Sequence, residues 1–425
     1  MARTDTLPHF LTDVADAIRT KSGTSGTIQA STFDTAIANI PSGGGSGWQR
    51  PSDWWDIKTI LDNAETRLDD NGNTLYPVYA VLMDDWNAIS GYAATKADGI
   101  LTSDGTWYGH GGVIHTWDPS YDKPCSEGYK TRYIIVYQKS RTYTLNDYID
   151  LRLFRMLEIY IGNFKILSAK GLVIGSTSYD SANKWIRNIE FSSDAEFNST
   201  QGTSYSWHVC KYCPALEHVN YSTTTPLSNA VSFSGCMNLK EIEGSNINAS
   251  GLGNFNNCYS LKKAILSTTT ITSSTTPSCY ALEELYLPNL TTISGTEIKQ
   301  LFCLKKIEFP NLTSITASNL FAYCYALNKL SIPSSCTTFP TKTSGTPMFG
   351  NFLQVLDLPE NFAISGLDLT DDTRLTHSCL VDIMNKLKDV TGESGTYTLT
   401  LGESHIGRLS ADELAIGTNK GWIIN

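Results

Sequence analysis

Apolar residues recur along this chain in two rhythms. Between about residues 186 and 359 the unit is C-x-x-L-x-x-L-x-L-P-x-L, fullest in CYALEELYLPNL from Cys279 and again in CYALNKLSIP from Cys324. FCLKKIEFPNL carries it with Cys303 displaced, and CPALEHV, CMNLKEI and CYSLKKA carry its front half. The first Leu of each unit falls at Leu216, Leu239, Leu261, Leu282, Leu304, Leu327 and Leu353, with steps of 23, 22, 21, 22, 23 and 26. That spacing lies in the leucine-rich-repeat range. A weaker copy precedes them at Ile186, Ile189 and Phe191. Within each unit the L-x-L pair alternates as a strand does, one side chain in and the next out. No single unit can bury its apolar face, so the pattern predicts a stacked solenoid. Each repeat adds about four aliphatic side chains, at roughly 1.5 to 3 kcal/mol apiece when fully buried.

The second rhythm is helical. Leu7, Phe10, Leu11, Val14 and Ile18 lie at helix spacing, and Ser31 precedes a second set, Phe33, Ile37 and Ile40. PSGGGSG, from Pro41 to Gly47, follows as a flexible linker. From about 376 the order becomes an amphipathic helix (THSCLVDIMNKLKDV), a strand (GTYTLTL), a short helix from Ser410 and a last strand, GWIIN. The expected organisation is a helical attachment segment (1–40), a linker (41–47), an aromatic-rich β domain (48–150), the solenoid (151–375) and a C-terminal α/β cap (376–425). The fold class is mainly β with short helices, with a sandwich or barrel expected for 48–150. That segment holds six of the nine tryptophans and runs such as TLYPVYAVLM and YKTRYIIVYQ.

Composition narrows the function. The net charge is -10 and no stretch concentrates Lys and Arg, which excludes the basic footprint of a nucleic-acid binder. No apolar run suits a membrane span, and the first residues lack the apolar core of a signal peptide. Nine of the ten cysteines lie between 210 and 379, mostly at repeat spacing. Cys213, Cys236, Cys258, Cys279 and Cys324 stand three residues before the Leu, where a small buried thiol suits a stacked column.

Candidate chemistry is thin. His208, Cys210, Cys213 and His218 resemble half a zinc site, but no second C-x-x-C follows and the column accounts for Cys213. Asp69, Asp70, Asn71, Gly72 and Asn73 form an oxygen-rich turn whose EF-hand reading fails because position 80 is Ala80. Asp84 and Asp85 beside Trp86 resemble a sugar platform, although neighbours in a strand face opposite ways. His110, His115 and Asp118 with Ser103 lack a nucleophile motif. No catalytic residue, metal or cofactor is expected. Clustered aromatics offer the stronger expectation: Trp107, Tyr108, Trp117 and Tyr121 lie among Gly, Asp, Pro and Ser, in expected loops, and are the ligand-contact candidates. Tyr259, Tyr280 and Tyr325, each following a repeat cysteine, line one solenoid face or pack between repeats.

The repeat unit resembles the BspA-like class of bacterial leucine-rich repeats, from about 186 to 359 and on to the C-terminus when the cap is counted. That resemblance implies surface-exposed binding or adhesion and no catalytic residues. LTDVADAIRTKSGTSGTIQASTFDTAIANIPSGGG is similar to the opening of tail structural proteins from phages and prophages of Gram-positive bacteria, with Ala30, Phe33, Ile37 and Ile40 at the positions of its second helix. RPSDWWDI and the ending LTHSCLVDIMNKL through NKGWIIN resemble segments of such proteins too. These resemblances imply a virion tail or baseplate component, with Leu11, Val14, Ile18, Phe33 and Ile37 in the attachment segment. The expected partners are other tail proteins, a host-surface polysaccharide or protein, and further copies of the chain, a trimer being one option. Its expected location is the virion tail, outside the cell after release. A bacterial surface adhesin is the alternative, and a polysaccharide-degrading tail protein the third.

Overall fold

The computed structural model describes residues 48–84, 97–109, 119–143, 149–150, 155–166, 172–174, 182–197, 210–221, 233–244, 255–267, 269–271, 279–294, 298–316, 320–340, 348–349 and 352–425. The attachment segment and its candidates Leu11, Val14, Ile18, Phe33 and Ile37 lie outside them. So do Asp85, Trp86, His110, His115, Trp117, Asp118 and His208. The chain divides into two units, Met1–Arg50 and Pro51–Asn425.

Within the second unit a 13-stranded sheet runs through the antiparallel segment and most of the repeats. Helix α1 (Ile57–Asp62) comes first, capped by Asp56, which accepts from the Thr59 amide. Six antiparallel strands follow, two of them the short pairs Arg67–Leu68 and Lys123–Pro124, the other four β1 (Thr74–Asp84), β2 (Gly99–Thr102), β3 (Trp107–Gly109) and β4 (Lys130–Gln138). The repeat strands are β5 (Met156–Ile161), β6 (Asn188–Phe191), β7 (His218–Tyr221), β8 (Glu241–Glu243), β9 (Lys263–Ile265), β10 (Glu284–Tyr286) and β11 (Lys306–Glu308). From β5 onward each pairs in parallel with the next.

Among the described residues, the strands expected to form a separate sandwich do not close on themselves. β1 pairs antiparallel with β4 on one edge and with β5 on the other, so β1 to β4 extend the solenoid's own sheet. All six residues of β5 are buried, a sign of cover on both faces. Sequence patterning missed the junction because a strand buried on both sides reads as a plain apolar run whatever lies next to it.

One face of the sheet packs inward. Ile159, Ile189, Val219, Ile242, Ala264, Leu285 and Ile307 meet in register, strand after strand, and belong to one continuous core. Behind them the cysteine column supplies hydrogen bonds as well as volume. Among the described residues four of its thiols donate to a backbone carbonyl of the preceding repeat: Cys236 to Cys210 at 2.8 Å, Cys258 to Phe233 at 3.1 Å, Cys279 to Phe255 at 3.0 Å and Cys324 to Ile298 at 3.5 Å. Burial pushes the Cys236, Cys279 and Cys324 thiols up to about 12, so they stay protonated donors. At the displaced unit Leu301 is buried and Cys303 is exposed. The residue before several column positions has a left-handed backbone: Tyr212, Asn257, Gln300 and Tyr323, with Gly235 in the same place.

The last repeats carry β12 (Lys329–Ser331) and β13 (Val355–Asp357), paired in parallel. The order expected after 376 is present: α2 (His377–Lys386), β14 (Tyr397–Thr400), α3 (Glu403–Ile406), α4 (Ala411–Thr418) and β15 (Trp422–Ile424). Thr376 caps α2, and Ser410 with Glu413 forms a capping box on α4. The Leu356 amide donates to the Cys379 sulfur at 3.1 Å, which ties α2 to the last repeat strand.

Candidate functional site: the outward sheet face and the aromatic row

A parallel solenoid places side by side residues that are one repeat apart in sequence. On the outward face this gives two rows in strand register. The first runs Glu158, Asn188, His218, Glu241, Lys263, Glu284, Lys306. The second runs Tyr160, Glu190, Asn220, Glu243, and on the later strands Ile265, Tyr286 and Glu308 stand in register with one another.

One end of this face is covered. Lys58 on α1 pairs with Glu190, the Tyr160 hydroxyl donates to Asp62 at 3.1 Å, and Trp54 is buried against the Arg187 guanidinium, 5.2 Å away. Arg187 also bonds Glu127 and Glu217 at 2.8 and 2.7 Å. Under this cover Glu158 and Asn188 are fully buried. Asn188 Nδ2 donates to Glu158 Oε1 at 2.9 Å, and Asn188 Oδ1 lies 2.7 Å from His218 Nδ1. Beyond Glu241, itself buried, the face opens. Lys263 Nζ reaches Glu241 at 3.1 Å and Glu243 at 3.8 Å. Further along, a hollow of about 510 Å³ is lined by Tyr286, Lys306, Glu308, Pro310, Lys329 and Ser331.

A second surface is built from rings that follow one another about one repeat apart. Tyr259, Tyr280, Phe302 and Tyr325 stack in sequence with centroids 6.3, 5.1 and 5.4 Å apart and planes within 21° of parallel. Phe352 closes the row edge-on to Tyr325 at 4.7 Å. The four stacked rings are 37 to 52% exposed. Each therefore packs between repeats and also faces solvent; what they offer a partner is ring edges and hydroxyls, because the flat faces are used against one another.

The sequence candidates scatter. Trp107 and Tyr108 stand on strand β3 rather than in a loop. Trp107 packs edge-on to Tyr137 at 5.2 Å, under the Arg67 guanidinium at 4.9 Å and over Gly99, where a Cβ would lie 2.3 Å from the indole. Tyr108 packs against the core, and Tyr121 is 53% exposed on a 3-10 turn. Cys210 and Cys213 are buried inside the stack while His218 points outward, so the C-x-x-C and the histidine serve different faces. Asp69 is satisfied within its turn by the Asn71 and Asn73 amides and Asn73 Nδ2, and these bonds lower its carboxyl. Asp84 is buried and paired with Arg155 at 2.8 Å. Sequence reasoning missed the grouping of His218 with Glu241 and Glu243. Its signal was present: one repeat on from His218 stands Glu241, with Glu243 next on the same strand face.

The model of the BspA type leucine rich repeat region matches residues 203–328 and 269–362, in six copies. These residues, 203–362 of the 425, are similar to the repeat region of that family. No curated protein matches the chain. Among solved structures, an internalin from Listeria monocytogenes is 13% identical, with 63% of this chain and 85% of that one covered and a TM-score of 0.29. A leucine-rich repeat protein from Bacteroides ovatus is 17% identical over 53% and 58%, with a TM-score of 0.25. A leucine rich cell surface protein from Faecalibacterium prausnitzii is 13% identical over 61% and 83%, with a TM-score of 0.22. Likenesses this low carry no weight for function. Among the described residues no helix of the chain is long and apolar enough to cross a membrane.

Proposed function

We propose that this chain is a non-catalytic recognition protein of the surface-adhesin type, whose repeat solenoid binds a cell-surface polysaccharide or protein. The observation that carries this reading is the exposed aromatic row Tyr259, Tyr280, Phe302 and Tyr325. Contiguous exposed rings cost solubility and mark contact surfaces, and the same repeats carry an open, charged sheet face that supplies polar specificity. Tyr121 stays a contact candidate on its exposure, whereas Trp107 and Tyr108 serve mainly to pack the β2–β3 hairpin. The test is adherence of the fluorescently tagged chain to a panel of bacterial and epithelial cells. Replacing Tyr280 and Tyr325 together by Ser should lower adherence at least tenfold while the fold is kept; unchanged adherence would sink the reading.

A second reading rests on the pattern of residues 1–47, which is similar to tail-protein openings: attachment to a virion tail or baseplate through Leu11, Val14, Ile18, Phe33 and Ile37, with the solenoid turned toward the host and the chain in several copies. Here the deciding measurement is co-sedimentation with tail particles. It should be lost on deleting 1–47 and kept in the Tyr280/Tyr325 variant.

A further inference from the structure

The row that begins under the cover prepares His218 for a ligand. Asn188 Nδ2 donates to Glu158 Oε1 at 2.9 Å, which turns the amide oxygen the other way. Asn188 Oδ1 then faces His218 Nδ1 at 2.7 Å and must accept in turn. The proton therefore sits on Nδ1 of the neutral ring, and Nε2 presents its lone pair toward the open face. A histidine held at Nδ1 by a buried acceptor, itself held by a carboxylate, is the arrangement that orients imidazole ligands in metal sites.

What faces Nε2 completes a donor set. Glu241 stands in register with His218 on the neighbouring strand, and Glu243 follows two positions on, on the same face. One donor atom from each of the three residues lies within 4.8 Å of the others, and Glu243 Oε2 is 3.9 Å from Nε2. Donors bound to one ion at about 2.0 to 2.2 Å stand roughly 3 to 3.5 Å apart, so contraction by a rotamer adjustment brings them into place. Lys263 now supplies the positive charge between the carboxylates. It has somewhere else to go, since its other register neighbour is Glu284.

We propose that His218 Nε2 and one oxygen each from Glu241 and Glu243 bind a divalent transition-metal ion of the Zn²⁺ class at the point where the covered sheet face opens, with Lys263 as the internal cation the metal displaces toward Glu284. The site uses none of the cysteines, and water or a ligand on the open side fills the remaining position.

Co²⁺ titrated into the full chain, followed by absorption spectroscopy and checked by elemental analysis after Zn²⁺ dialysis, tests this. The expected result is one ion per chain with visible d–d bands and no thiolate-to-cobalt charge transfer. Glu243→Gln, on the open side, should weaken binding roughly tenfold or more. Lys263→Met should tighten it several-fold, an effect that a purely structural ion-pair row would not give. A thiolate-dominated spectrum, no saturable binding below about 1 mM, or affinities unchanged in both variants would overturn the proposal. Should Glu243→Gln fail to fold, Lys263→Met still decides, by tightening or not.

Discussion

The thiol of Cys258 donates its proton to the carbonyl of Phe233, one repeat earlier, at 3.1 Å. The same bond recurs at Cys236 and Cys279, so the column is a hydrogen-bonded seam and not only a filler of space. Cys258→Ala loses that donor and leaves a small void, and should cost about 1 to 3 kcal/mol in urea unfolding. Cys258→Val, larger and without a donor, should cost as much or more.

The same burial makes the seam inert. Cys236, Cys279 and Cys324 titrate at about 12, so in native protein near pH 8 iodoacetamide should label Cys303 first, then the half-buried Cys125. Mass spectrometry that finds the column residues labelled at a comparable rate would contradict the stacking described above.

Asn188 is fully buried between Glu158 and His218. Asn188→Leu removes one donor from the buried Glu158 and the acceptor at His218 Nδ1, and should destabilise by about 2 to 4 kcal/mol. Asn188→Asp places two carboxylates together and should be at least as harmful at pH 7. The midpoint of chemical denaturation reads both.

His405 is fully buried, its Nε2 3.2 Å from the Leu369 carbonyl and its Nδ1 beside Arg408. Desolvation, then the Arg408 charge, push its pKa below the usual 6.5. The unfolded chain thus takes up a proton at His405 before the folded chain does. Stability should be full above pH 6.5, fall as the pH drops from there toward the lowered folded pKa, and level off at this group below it. His405→Gln should flatten the dependence of melting temperature on pH between 7 and 5, and an unchanged slope would refute the assignment.

Gly99 leaves room for the Trp107 indole, which a Cβ would approach to 2.3 Å. Gly99→Ala should expel the ring from its place between Arg67 and Tyr137. A red-shifted tryptophan emission and a loss of about 1 to 3 kcal/mol are expected.

The repeats were legible because one apolar column returns once per unit from Leu216 to Leu327, and sequence spacing maps directly onto spatial stacking. The C-terminal helices were legible through Thr376 and Ser410, whose side chains cap them locally. What lies on the outward face was not. Trp54 and Lys58 reach Arg187 and Glu190 from a part of the chain that precedes the whole antiparallel segment, a contact with no local periodicity to announce it. Trp107 reads as a loop aromatic because Gly and Asp flank it, yet the residue that makes room for its ring is Gly99, on the neighbouring strand β2. His218 stands in sequence near His208 and two cysteines, whereas its neighbours in space are one repeat on.

The joint between β1 and β5 also sets a direction for building the molecule. Within the solenoid, partners are about one repeat apart along the chain, but Tyr79 meets Ile161 only after β2, β3 and β4 have intervened. The antiparallel strands β1 to β4 emerge first during synthesis and can pair among themselves, leaving one edge of β1 open. That edge is the template on which β5 is laid down, then β6, then each repeat in turn, so assembly should run from the N-terminal side as a zipper with a prepared first tooth.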